Sequence, residues 1–219
     1  MKLLLTSAGI TNKSIAYALF DLVGKKPEEI SLVFIPTASN VEMGDKEWLI
    51  DDLVNLKKLN LKSIDIADIS TVPEKIWKPK LEKVDVLFFE GGNECYLMEW
   101  INKSGLADLL PELLKTRVYV GSSAGSMVTG KDLASEIFRI VYDEDPSIVK
   151  EMSGLNFVDF YFMPHLNSPY FKNIREEIVG GVTKDTHEKI YVMDDDSALK
   201  VVNGKEEVIS EGKWFVVNG

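Results

Sequence analysis

Val118-Tyr119-Val120-Gly121-Ser122-Ser123-Ala124-Gly125-Ser126-Met127-Val128 is the stretch on which the reading of this chain turns. It reads as a buried strand, a Gly-x-Ser-x-Gly turn and the start of a helix. Such a turn forces the serine backbone into a strained conformation, and bulk two residues before or after it would clash. Both flanks are therefore glycine. The turn lifts the Ser123 hydroxyl above the sheet edge and aims the Ala124 amide, at a helix amino terminus, toward an incoming carbonyl oxygen. A second Ser-Ala-Gly triplet, Ser7-Ala8-Gly9, also follows a strand, but Leu5 stands where the first glycine should be. That copy is expected to be a plain strand-end loop.

Upstream of the turn, short apolar runs alternate with helical patterns. Leu3-Leu4-Leu5 is followed by Ile15, Ala18, Leu19, Leu22 and Val23 at helical spacing, and Leu32-Val33-Phe34-Ile35 ends at Pro36. Trp48, Leu49, Leu53, Leu56 and Leu59 form a second stripe, Ser63-Ile64-Asp65-Ile66 is a short run, and Val84 to Phe89 stops at Gly91-Gly92. Two helical segments, near Tyr96 to Ile101 and Leu106 to Leu114, lead into Val118. Near-continuous apolar strands separated by helices imply an α/β fold, a mostly parallel sheet covered on both faces in three layers.

Downstream, Ile190 to Met193, Ala198 to Val202, Glu207 to Ile209 and Trp214 to Val217 are closely spaced, with Asn203-Gly204 and Glu211-Gly212 between the last three. This pattern predicts an antiparallel meander added to one edge of the sheet. Ligands of open α/β sheets bind beyond the carboxyl ends of the strands, so the loops after Leu5, Ile35, Phe89 and Val120 are where chemistry is expected.

A serine nucleophile needs a base that titrates near neutrality, usually imidazole. The chain has two histidines. His165 lies between the apolar run Phe160 to Pro164 and a polar loop, which suits a pocket rim; His187 lies in a charged connection and reads as surface. His165 is the favoured base. For the acid that orients it, Asp194, Asp195 and Asp196 end a strand, and Asp143, Glu144 and Asp145 are also available. Paired glycines let backbone amides approach a ligand, so Gly91, Gly92 and Asn93 are candidates for a second oxyanion donor beside Ala124. The other reading of Asn93 is a cap on the next helix. No His/Cys/Asp spacing resembles a metal cage, so no metal is expected.

The bulk properties narrow the class. At 219 residues and 45% hydrophobic content the chain can bury one core, and without linker or repeat it is read as a single domain over 1–219. A net charge of -10 repels phosphate backbones, so nucleic acid is not an expected partner. The single cysteine, Cys95, excludes an intrachain disulfide and suits a cytoplasmic setting. No apolar stretch is long enough to span a bilayer, so no membrane partner is expected. A homodimer is the assembly left open.

Taken together, Phe34-Ile35-Pro36, Gly91-Gly92-Asn93, Gly121-Ser122-Ser123-Ala124-Gly125, Pro164-His165 and Asp194-Asp195-Asp196-Ser197-Ala198 resemble the dipeptidase E family of serine peptidases, which also includes cyanophycinases. The resemblance covers nearly the whole chain. It implies a fold similar to class I glutamine amidotransferases (flavodoxin-like), a Ser-His-acid triad and no cofactor. Ser123 falls on the family's nucleophile and His165 on its base. The family's acid after the histidine, often glutamate, falls on Asp195; an acid before the histidine would fall near Asp143. Aspartyl-specific members bind an amino-terminal aspartate through an arginine a short way past the histidine. Here that stretch is Tyr170-Phe171-Lys172-Asn173-Ile174-Arg175, with tyrosine at the matching place, so aspartyl specificity is not expected. Lys172 and Arg175, read as lying on a helix after Pro169, are the nearby cations, and Arg175 is expected to face solvent or pair with local glutamates. The expected activity is hydrolysis of short peptides with neutral or basic residues through an acyl-enzyme. An esterase-type α/β serine hydrolase and a catalytically silent binding protein of the same fold are the rival readings.

Overall fold

The computed structural model describes residues 1–133, 136–143 and 152–219. From the amino terminus the elements are β1 (Lys2–Thr6), α1 (Lys13–Val23), β2 (Ser31–Ile35), α2 (Thr37–Asn40), α3 (Glu47–Lys58), β3 (Ser63–Ile66), α4 (Glu74–Leu81) and β4 (Val86–Phe89). The chain continues through α5 (Glu94–Lys103), α6 (Leu106–Leu113), β5 (Val118–Ser122), α7 (Ala124–Met127), β6 (Asp132–Leu133), α8 (Glu136–Tyr142), β7 (Met152–Ser153) and β8 (Tyr161–Met163). It ends with α9 (Glu176–Val182), β9 (Ile190–Met193), β10 (Ser197–Val202), β11 (Lys205–Ser210) and β12 (Trp214–Val217). No helix among the described residues is long and apolar enough to cross a membrane.

The main sheet has seven strands in the order β11-β10-β1-β5-β4-β2-β3. Its β3, β2, β4, β5 and β1 run parallel, and β10 and β11 extend it antiparallel beyond β1. Alternation along each strand divides the side chains between two cores. Leu4, Phe34, Phe88 and Val120 pack with Ile15 and Leu19 of α1 and Leu56 of α3. Leu5, Ile35, Phe89 and Tyr119 pack on the other face with Trp77 of α4, Leu97 of α5 and Leu110 of α6. Strands buried on both faces have no polar side to show, which is why they read as continuous apolar runs.

The carboxy-terminal strands depart from the expected meander. Only β10 and β11 join the main sheet, turning through Asn203 and Gly204 at φ 51° and 80°. Strands β9 and β12 pair with each other and with β8 in a separate three-stranded sheet. The Glu211-Gly212 connection is therefore a crossover between sheets. Gly212 serves there as a close approach rather than a left-handed turn, because a Cβ would fall 2.2 Å from Asp194 Oδ2. A smaller core of Met163, Leu166, Ile174, Val179, Ile190 and Val192 supports this second sheet. It holds the histidine loop over the carboxyl end of the main one.

Candidate active site

Three adjacent parallel strands deliver the loops of the site. β1 and β5 end in register, Thr6 against Ser122, and β4 ends with Phe89 against Gly121. At the head of β5 the chain reverses into α7, and Ser123 takes φ 47° and ψ -110°. A non-glycine residue there stores roughly 1–3 kcal/mol of strain. The glycine flanks are needed for the reason inferred from the sequence. A Cβ on Gly121 would lie 2.5 Å from Gly125 backbone atoms, and one on Gly125 would lie 2.1 Å from Phe89 O. β1 holds the turn in place: the Ser123 amide and the Ser126 hydroxyl both donate to Thr6 O, at 3.0 and 2.8 Å.

The His165 ring stands against this turn. Its Nε2 lies 2.9 Å from Ser123 Oγ and its Nδ1 lies 2.7 Å from Asp195 Oδ1. The ring is only 14% exposed, and the Phe171 ring stacks on its face at 4.5 Å and 8°. Burial alone would raise the Asp195 carboxyl. The hydrogen bond and charge of His165, with the Ser7 hydroxyl, outweigh it and hold that carboxyl below its ordinary value. Of the other acids considered, Asp143 is exposed at the end of α8, and Glu144 and Asp145 lie outside the described residues. His187 is exposed, as expected.

The three consecutive aspartates do different work. Asp194 accepts from the Ser197 hydroxyl at 2.6 Å and from the Asp196 and Lys213 amides, closing the turn into β10. Asp195 faces the imidazole. Asp196 gives its carbonyl to Asn12 Nδ2 at 2.9 Å, while Thr11 Oγ1 donates to Asp195 O at 2.9 Å. The acid loop is thus tied to the segment after β1.

Ser7 is the residue that sequence reasoning passed over. Its loop is more than a plain strand end: Ser7 Oγ donates to Asp195 Oδ1 at 2.8 Å and accepts from the His165 amide at 2.8 Å. One fully buried hydroxyl therefore grips both the His165 backbone and the Asp195 carboxylate. The available signal was position, a small polar residue at the carboxyl end of a central strand.

Gly91 and Gly92 pack between the serine turn and α2. A Gly91 Cβ would lie 3.2 Å from Ser123 Cβ and 3.8 Å from Trp48 Cζ3; Gly92, at φ 124°, sits against Ala38 O, where a Cβ would fall at 2.4 Å. Asn93 caps α5, accepting from the Tyr96 amide at 2.8 Å and donating its own amide to Ala38 O. Among the described residues the Ala124 and Gly92 amides donate to no backbone carbonyl outside the helices and strands.

The segment past the histidine is a series of turns, and helix begins only at Glu176; the expected helix after Pro169 does not form. Arg175 is not at the surface pairing with glutamates either. Its guanidinium donates to the carbonyls of Ser168, Phe171 and Ile174, each at 2.9 Å, and so shapes the loop that carries Phe171. Tyr170 and Lys172 are exposed.

The chain also has relatives among known proteins. The profile described as Peptidase family S51 matches residues 3–209. An uncharacterized peptidase of Listeria innocua is 31% identical over 189 residues, covering 81% of this chain and 87% of that protein. Peptidase E of Shewanella oneidensis is 31% identical over 137 residues, 62% of this chain and 53% of that one. A Listeria monocytogenes crystal structure described as a peptidase E protein superposes with a TM-score of 0.77 at 24% identity, over 96% of this chain and 98% of that one. At that identity the likeness speaks for the fold.

Proposed function

Because the chain belongs to peptidase family S51 and is a serine-type peptidase, we propose that it cleaves short peptides through an acyl-enzyme formed on Ser123. The observation that carries this reading is the unbroken path from Ser123 Oγ through the His165 ring to Asp195, at 2.9 and 2.7 Å. His165 Nε2 takes the hydroxyl proton as Oγ bonds to the scissile carbonyl carbon. The carbonyl π electrons move to oxygen, which the Ala124 and Gly92 amides receive. Asp195 holds the Nδ1 proton and stabilises the imidazolium. His165 then returns its proton to the departing amine as the C–N bond breaks, leaving the acyl-enzyme. Water, deprotonated by the same imidazole, releases the acid and restores Ser123.

The chain order supports a peptidase of this family over an esterase. Here the acid follows the histidine, whereas α/β-hydrolase esterases place it before. For substrate, the three carbonyls on Arg175 leave that cation engaged with its own loop, and the exposed Tyr170 and Lys172 offer no buried anchor. A buried substrate carboxylate needs such an anchor. The enzyme therefore prefers peptides with neutral or basic residues and is not a strict aspartyl dipeptidase. Its single cysteine suits a cytoplasmic setting.

The test combines a fluorophosphonate probe with a dipeptide and tripeptide library. Rapid labelling of the native protein, lost with peptide cleavage in a folded Ser123→Ala variant, is the expected result, a fall of at least about 10⁴-fold in kcat. Retained cleavage in that variant would remove Ser123 from the mechanism. Cleavage confined to amino-terminal aspartate would overturn the substrate reading.

A further inference from the structure

Two acids that the mechanism leaves unused lie directly behind the serine turn. Glu90 follows Phe89 at the end of β4 and precedes Gly91-Gly92; Ser122 immediately precedes the nucleophile. By the pleat they share the face of Phe88 and Val120, the side covered by α1 and α3. Asp52, in the second turn of α3, reaches down to meet them. Glu90 is 0% exposed, Ser122 2% and Asp52 7%. Asp52 Oδ2 accepts from Ser122 Oγ at 3.1 Å. Its carboxylate also presses on Gly9 of the β1 loop so closely that a Cβ there would fall 2.4 Å from Oδ1. That space is open only because residue 9 is glycine, at φ 70°.

Neither Glu90 oxygen has a donor in good hydrogen-bond geometry; its carboxyl faces that of Asp52, with the Gly91 amide beside it. Two bare carboxylates cannot share a closed space, and no third acid, His or Cys converges to build a cation site among the described residues. One carboxyl must keep a proton and donate it to the other. Burial is the largest cause raising both: Asp52 to about 7 and Glu90 well above its ordinary value, the latter also through the charge of Asp52. The other charges acting on Asp52, Asp51 of its own helix and Asp195 across the site, are negative and push the same way; the hydrogen bond with Glu90 and then the Ser122 hydroxyl pull against them.

We propose that Asp52 and Glu90 are positioning residues, a proton-sharing acid pair that clamps the ends of β4 and β5 so that the Gly92 amide and the Ser123 hydroxyl address the same carbonyl. The inference rests on Ser123 being the nucleophile. It gives α3 a part in the site beyond packing, since the same helix lays Trp48 beside Gly91, where a Cβ would lie 3.8 Å from its ring. Losing the shared proton leaves two facing anions, and their repulsion pushes apart the strand ends that carry the oxyanion amides and the serine.

The experiment measures fluorophosphonate labelling of Ser123 between about pH 6 and pH 10, alongside thermal unfolding. In the wild type the rate falls on the alkaline side when the pair loses its last proton. In Asp52→Asn the amide donates to Glu90 with no proton to lose, and the alkaline fall disappears. Asp52→Ala leaves Glu90 facing a void; the bond-forming rate falls roughly tenfold or more while reversible probe affinity holds. Asp52→Asn with the wild-type profile, or with the same profile at lower amplitude and lower thermal stability, would overturn the proposal and leave the pair a structural feature. No labelling of the wild type at any pH would instead remove the nucleophile itself, so the two failures are told apart.

Discussion

The serine turn and the histidine loop meet at 2.9 Å, yet they are held by different kinds of force. The serine turn is built from its own neighbourhood. Gly121 and Gly125 are four residues apart and touch each other, and β5 that carries the turn is paired on both sides inside a parallel sheet. The histidine loop has no such local frame. His165 sits at φ 70°, its amide held by Ser7, 158 residues away, and its ring by Asp195, 30 residues on. Its shape comes from Arg175 capping three of the loop's carbonyls. The lesson is that half of this site is encoded as a contiguous word and half as a set of distant agreements.

The sharpest way to break the local half is Gly125→Ala. The new methyl would lie 2.1 Å from Phe89 O, a backbone atom of a central strand. The expected cost is about 3 kcal/mol, seen as a fall of roughly 10 °C in the unfolding midpoint, or as failure to fold. An unchanged midpoint would show that the turn has slack the geometry denies it.

The distant half breaks without unfolding. Asp195→Asn keeps the shape but presents the wrong partner to the imidazole, and kcat should fall by about 10³ to 10⁴-fold with the fold intact. A comparable loss from Asp143→Asn would move the acid to α8. Ser7→Ala removes one hydroxyl from both the base and the acid. A charge-assisted hydrogen bond is worth about 1.5–3 kcal/mol, so kcat should fall roughly tenfold to hundredfold, with KM little changed. An effect on KM alone would make Ser7 a substrate contact.

The smallest effect sharpens the contrast from outside. His187→Ala, at an exposed position, should leave kcat/KM within about twofold. A loss as deep as that of His165→Ala would exchange the roles of the two histidines.

Sequence reading went furthest where physics is local. The strand, glycine, serine, glycine and helix of residues 118–128 specify a turn by steric exclusion among near neighbours, so the strained serine turn and the parallel α/β sheet were legible without coordinates. So was the hairpin at Asn203-Gly204, because two positive φ values select those residue types. Tertiary structure alone decided which carboxylate meets the His165 ring, that Ser7 braces both, that β9 and β12 leave the main sheet, and that Arg175 turns inward. Each of those outcomes depends on pairing between segments that the chain separates widely. A hydroxyl, an aspartate or an edge strand looks the same in sequence whether or not its partner arrives. The Asp52–Glu90 contact belongs to the same class, since α3, β4 and β5 bring its members together only when the sheet closes.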